Sequence, residues 1–135
     1  MKAVDTAALR GILEGDPGSK DLLRRLRGVE VATTERTLLE LSLLAQRGSP
    51  GSRGARRTVL ERLRRKITVL PIDVRAVGEA ARRSDGAASP EDLWRLAEWG
   101  ALEASGCEEL FCAGRPPSGA KWRFKVTRVR AKHPK

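Results

Sequence analysis

The sequence predicts an α/β domain in which helices cover a mostly parallel five-stranded sheet, and three observations point there. Short apolar runs alternate with longer stretches of helical periodicity, the pattern of repeated β-α units. The chain has 135 residues, enough to bury one sheet between helices and too few for two independent cores. Apolar residues make up 40% and charged residues 33%, a globular balance in which no apolar run approaches the roughly 20 residues that span a bilayer. The expected organisation is a single domain over residues 1–130 and a basic tail over residues 131–135.

Taken in order, Lys2 to Val4 reads as the first strand. The helix after it, Thr6 to Glu14, stops at the breakers Gly15-Asp16-Pro17-Gly18, and a second helix runs from Ser19 to Arg27. Val29 to Thr33 reads as the second strand. The following helix, Thr34 to Arg47, carries leucines at 38, 39, 41, 43 and 44 that nearly encircle it, so it is expected to be buried. Gly48-Ser49-Pro50-Gly51-Ser52 reads as a flexible loop, Ala55 to Lys66 as a basic helix, Thr68 to Leu70 as the third strand and Val74 to Ser84 as another helix. Ser89-Pro90-Glu91-Asp92 opens the next helix, with an N-cap serine and proline at the first helical position. In it Leu93, Leu96, Ala97, Gly100 and Ala104 share a face whose small members allow close approach to a sheet. Glu109 to Cys112 reads as the fourth strand. Trp122 to Val129 closes the sheet as an amphipathic edge with Trp122, Phe124 and Val126 on one side.

Several functional classes fall away. Cys107 and Cys112 are too few for a disulfide framework, lack the four-ligand zinc pattern and read as packing side chains. His133 stands alone in a polar tail, which leaves no histidine-based catalytic dyad. Asp5 interrupts the stretch where a signal peptide needs apolar residues, so a cytoplasmic protein is expected. The formal charge of +10 and sequence pI near 10.8 call for a polyanionic partner. Nucleic acid fits better than membrane, because no segment joins a strong apolar face to aromatic anchors.

Three carboxylates stand where periodicity alone does not choose them. Asp5 sits at the carboxyl end of the first strand, where open α/β sheets place ligand sites, although an N-cap would also explain it. Glu40 lies among leucines and needs either a cation or an ion pair with Arg36 or Arg47. Asp92 opens a helix, a position the helix dipole favours for any acid. Glu98 and Glu103 lie further along that helix, and Glu98, six residues from Asp92, points elsewhere on it.

The order Val4-Asp5-Thr6, then Thr37-Leu38-Leu39-Glu40 inside a long helix, then Asp92 above Ala97 and Ala101, resembles the PIN-domain family over residues 1 to about 113. The resemblance implies a three-layer α/β/α sandwich with sheet order 3-2-1-4-5 and an acidic cleft at the carboxyl ends of the strands. It implies a metal-dependent endoribonuclease acting on single-stranded RNA, akin to the virulence-associated C toxins of toxin–antitoxin pairs. Asp5, Glu40 and Asp92 would then hold Mg²⁺ or Mn²⁺, with Thr6 or Thr37 orienting a ligand or water. The family's fourth acid is missing: Leu110-Phe111-Cys112 is followed by Ala113-Gly114-Arg115. The alternative is therefore a catalytically degenerate PIN-like module that binds RNA or protein. Arg115 reads as a phosphate clamp or a solvated loop residue.

The basic residues would hold the substrate. Arg53, Arg56, Arg57, Arg62, Arg64, Arg65 and Lys66 crowd one helix, and Lys121, Arg123, Lys125, Arg128, Arg130 and Lys132 crowd the last strand. Trp94, Trp99 and Trp122 read either as base-stacking platforms or as core. An antitoxin protein and a second copy of the chain are the further partners expected.

Overall fold

In the computed structural model, β1 (Lys2–Val4), β2 (Val31–Thr34), β3 (Ile67–Leu70), β4 (Glu109–Cys112) and β5 (Lys125–Arg128) form one sheet. Its order is β3-β2-β1-β4-β5 and every pairing is parallel. All residues are described except 48–49, 87–88, 118–120 and 131–135, and the side chains of Pro50 and Glu91. The expected tail, with Lys132 and His133, thus lies outside the described residues.

Successive strand residues point to opposite faces, and here both faces are apolar, as a parallel sheet between helical layers requires. Val4, Val31 and Phe111 enter one core with residues of α1 (Thr6–Leu13), α2 (Ser19–Arg25), α3 (Glu35–Ala45) and α4 (Pro50–Lys66). Their neighbours Ala3, Ala32, Leu110 and Cys112 enter the other core with Trp99 and Leu102 of α6 (Leu93–Ala104) and with Phe124. A fifth helix, α5 (Val74–Arg83), packs against α6. The register Ala3↔Ala32 and Ala3↔Leu110 aligns these layers across the three central strands. Both cysteines are free and buried, and burial pushes their thiols up, to about 11 for Cys107 and about 12 for Cys112. Among the described residues no helix is long and apolar enough to cross a membrane.

Six local expectations are corrected. β2 begins at Val31 because the turn after α2 continues through Gly28, at φ +69°, with Val29 N–H donating to the Leu26 carbonyl at 3.3 Å. The stretch expected as a loop up to Ser52 is helical from Pro50, since a first-turn residue needs no N–H partner. α3 is not encircled by protein. Leu39 and Leu43 are 60% and 47% exposed, and burial falls on Thr37, Leu41 and Ala45. Ser89 opens a 3-10 turn over Pro90–Asp92, and α6 proper starts at Leu93, which is exposed. The small face of α6 approaches α5 rather than the sheet. A Cβ on Gly100 would lie 2.1 Å from the Ala76 carbonyl oxygen, while Trp99 and Leu102 take the sheet side. Finally, Trp122 precedes β5 and packs edge-on to Trp99 at 6.0 Å, so the last strand is shorter than its amphipathic pattern.

Candidate functional site

The carboxyl ends of β1 and β2 feed directly into helices, and that junction sets the site. Asp5 follows β1 in an extended conformation and caps α1, accepting from Ala8 N–H at 2.9 Å. Its carboxylate also accepts from the backbone N–H groups of Ala113 (3.2 Å) and Gly114 (2.9 Å). Where the family's fourth acid is expected, the segment after β4 therefore offers backbone donors that tie down the first acid.

Thr34 ends β2 and caps α3, accepting from Thr37 N–H at 3.2 Å. Its hydroxyl donates to Glu98 Oε2 at 2.5 Å, and the Thr37 hydroxyl donates to the same oxygen at 3.0 Å. Each hydroxyl has one proton, so Thr37, having given its own to Glu98, accepts from Thr6 at 2.8 Å. Thr6, Thr37 and Glu98 thus form a directed relay across the cleft. Arg36 completes it: Nη1 donates to Glu98 Oε1 at 2.7 Å, and Nη2 pairs with Glu40 Oε1 at 3.0 Å. One guanidinium joins α3 to α6, whose buried faces lie on opposite sides of the sheet.

Asp5, Thr6, Arg36, Thr37, Glu40, Arg95, Glu98 and Arg115 all line a cleft of about 690 Å³. Asp92 is not among its lining residues. It sits at the end of the 3-10 turn, accepting from Arg115 Nη1 at 2.8 Å, Arg95 Nη1 at 3.3 Å and Ser89 Oγ at 3.2 Å. Of the three expected acids, two reach the cleft, and the carboxylate that α6 contributes there is Glu98. Its spacing of six residues from Asp92 sets Glu98 on another part of the helix surface, so the Asp92 position does not reveal it. The signal available was its neighbourhood, next to Trp99 and one turn before Leu102, on the stretch of α6 that is buried.

The expected basic contacts divide. Arg56 donates to the Arg47 carbonyl at 2.9 Å and reaches that of Leu44, closing the end of α3. Arg57, Arg62 and Arg65 line a shallow groove on α4 with Glu61, and Arg53 is half-buried. Lys121, Arg123 and Lys125 have exposed side chains, and the first two also fix the fold through their backbones, the Lys121 carbonyl accepting from Arg83 and Arg123 N–H donating to Glu103. Trp99 and Trp122 are packing residues, whereas Trp94 is 63% exposed beside Arg95.

A parallel 3-2-1-4-5 sheet between helical layers, with carboxylates and hydroxyls at its carboxyl edge, defines an α/β domain with an acidic cleft. The family model described as PIN domain matches residues 2–97, and the chain belongs to that family. Solved structures share its fold, two of them toxin–antitoxin complexes. One is VapBC2 from Rickettsia felis bound to a promoter DNA fragment, at TM-score 0.71 and 11% identity, covering 96% of this chain and 98% of that one. The other is DNA-bound VapBC from Salmonella typhimurium, at TM-score 0.63 and 14% identity, covering 94% and 96%. No curated protein matches the sequence.

The divalent ion that the family implies does not fit the donors as they stand. Among the described residues no group of three His, Cys, Asp or Glu side chains is arranged to hold a metal. Asp5 accepts from three backbone N–H groups, Glu98 accepts from two hydroxyls and Arg36, and Glu40 Oε1 pairs with Arg36, whose positive charge opposes a second cation beside the two glutamates.

Proposed function

We propose that this protein is a toxin-type PIN protein of the cytoplasm that holds single-stranded RNA in its cleft without hydrolysing it and pairs with an antitoxin. The observation that carries this reading is Arg36, whose guanidinium spans Glu40 and Glu98 at 3.0 and 2.7 Å. A guanidinium neutralises carboxylates but opens no coordination position and does not acidify water. Around it, Arg95 and Arg115 supply forked donors suited to phosphate, and exposed Trp94 supplies a face on which a base can stack. The formal charge of +10 over the whole chain favours a polyanion such as RNA over a neutral or basic partner. The antitoxin follows from the resemblance to the two VapBC assemblies.

The test is fluorescence anisotropy with labelled single-stranded RNA in EDTA, alongside gel analysis of the same RNA with Mg²⁺ or Mn²⁺. Binding that persists in EDTA, weakens in Arg95→Ala and Arg115→Ala, and yields no product with either metal is the expected result. A second reading, the metal-dependent endoribonuclease, is favoured by the presence of Asp5, Glu40 and Glu98 in one cleft. It predicts metal-dependent product that disappears in Asp5→Asn and Glu98→Gln. Loss in Asp92→Asn with Glu98→Gln still active would instead make Asp92 the third acid.

A further inference from the structure

We infer that Arg36 is an internal cation standing where a metal would otherwise bridge Glu40 and Glu98, so that the cleft takes up a divalent ion only when Arg36 is removed. The inference rests on the reading above, in which the acids have no hydrolytic task, and assigns them a structural one. Glu40 belongs to α3 and Glu98 to α6, and the two helices cover opposite faces of the sheet. Brought to one edge, two carboxylates with Asp5 in the same cleft repel one another unless a positive charge lies between them.

The fork of Arg36 supplies that charge to both at once, 2.7 Å from Glu98 and 3.0 Å from Glu40. Glu98 is the acid least able to do without it. Its side chain is 13% exposed, and its second oxygen already accepts from Thr34 and Thr37, which fixes its direction toward Arg36. Glu40 is 38% exposed and can turn to solvent, so its pair with Arg36 adds little stability alone. The bridge matters through Glu98. A hard divalent ion wants several oxygens in a near-regular shell, and the guanidinium occupies the approach to Glu98 Oε1 and Glu40 Oε1. Take it away and Glu98 Oε1 and Glu40 Oε1 become unpartnered oxygens in a cleft that also holds Asp5.

The experiment is an electron paramagnetic resonance titration of Mn²⁺, the probe itself, into the wild-type chain, Arg36→Gln and Arg36→Gln/Glu98→Gln, with far-UV circular dichroism on each. Wild type is expected to leave the free-ion signal unchanged. Arg36→Gln should bind one Mn²⁺ about tenfold or more tighter than wild type, the consequence of removing a full positive charge from between two carboxylates. The double variant should lose that gain. Mn²⁺ uptake by wild type that is abolished in Glu98→Gln would overturn the inference, as would a folded Arg36→Gln that binds no metal. If Arg36→Gln is unfolded in metal-free buffer, refolding on addition of Mn²⁺ supports the inference and failure to refold counts against it. RNA anisotropy in EDTA on the same wild-type sample separates the two ideas, since RNA binding can fail while the Mn²⁺ result stands, and the reverse.

Discussion

Asp5 shows how a single side chain can be read as functional and be structural as well. Three backbone N–H groups, from Ala8, Ala113 and Gly114, converge on its two oxygens and join the start of α1 to the end of β4. Asn in its place keeps one acceptor and turns an amide NH₂ toward a donor. Asp5→Asn should therefore destabilise the fold by about 1–3 kcal/mol, the cost of leaving a buried donor unsatisfied, seen as a lower urea midpoint. An unchanged midpoint would mean that the carboxylate is not holding the β4 exit. At the same scale, burial raises the thiols of Cys107 and Cys112 to about 11 and about 12. The thiolate is the reactive form, and at pH 8 both groups remain protonated. A disulfide exchange reagent should modify neither in the native protein and both in urea, with native reactivity rising only as pH climbs toward those values.

At the scale of elements, the crossing of α5 and α6 depends on the missing side chain at Gly100. A Cβ there meets the Ala76 carbonyl oxygen at 2.1 Å and Ala80 Cβ at 2.9 Å, and backbone cannot move aside as a flexible side chain could. Gly100→Ala, normally favourable in a helix, should cost about 1–3 kcal/mol by overpacking and lower the melting temperature by several degrees. Gly78 of α5 has open space around it, so Gly78→Ala is the matched control and should be neutral or stabilising. The small residue is legible in the sequence but its partner is not, because periodicity gives a face and not whether α5 or the sheet meets it. The strands were legible for a related reason. Val4, Val31 and Phe111 on one side, and Ala3, Ala32 and Leu110 on the other, make short doubly apolar runs that only a covered parallel strand uses. Leu39 and Leu43 are exposed despite the leucine-rich pattern, since an apolar residue carries no mark of whether protein covers it, and Glu40 beside them is only partly buried. The cleft was half legible. Asp5, Thr6, Thr37 and Glu40 follow from the strand-to-helix junctions, while Glu98 depends on how α6 is rotated after a 3-10 turn, which helical periodicity does not specify.

Over the whole molecule, charge is distributed unevenly, and that unevenness carries the last prediction. α4 holds seven cations and one acid, so this one helix contributes six of the ten net positive charges. The cleft is slightly acidic by comparison, with Arg10, Arg36, Arg95 and Arg115 set among Asp5, Glu14, Asp16, Glu40 and Glu98. If RNA were held by the cleft alone, few phosphates would be neutralised and affinity would depend weakly on salt. If the strand also runs over α4, each phosphate contact there releases counterions and steepens the dependence by about 0.7 in log Kd against log salt for a single strand. Arg57, Arg62 and Arg65 line one groove, so their triple substitution to alanine should flatten the slope by about 2, whereas Arg115→Ala should flatten it by about 0.7. Arg56 is the internal control: it closes the end of α3, so Arg56→Ala should lower thermal stability and leave the slope unchanged. A slope unmoved by the triple variant would place the RNA path away from α4 and confine recognition to the cleft.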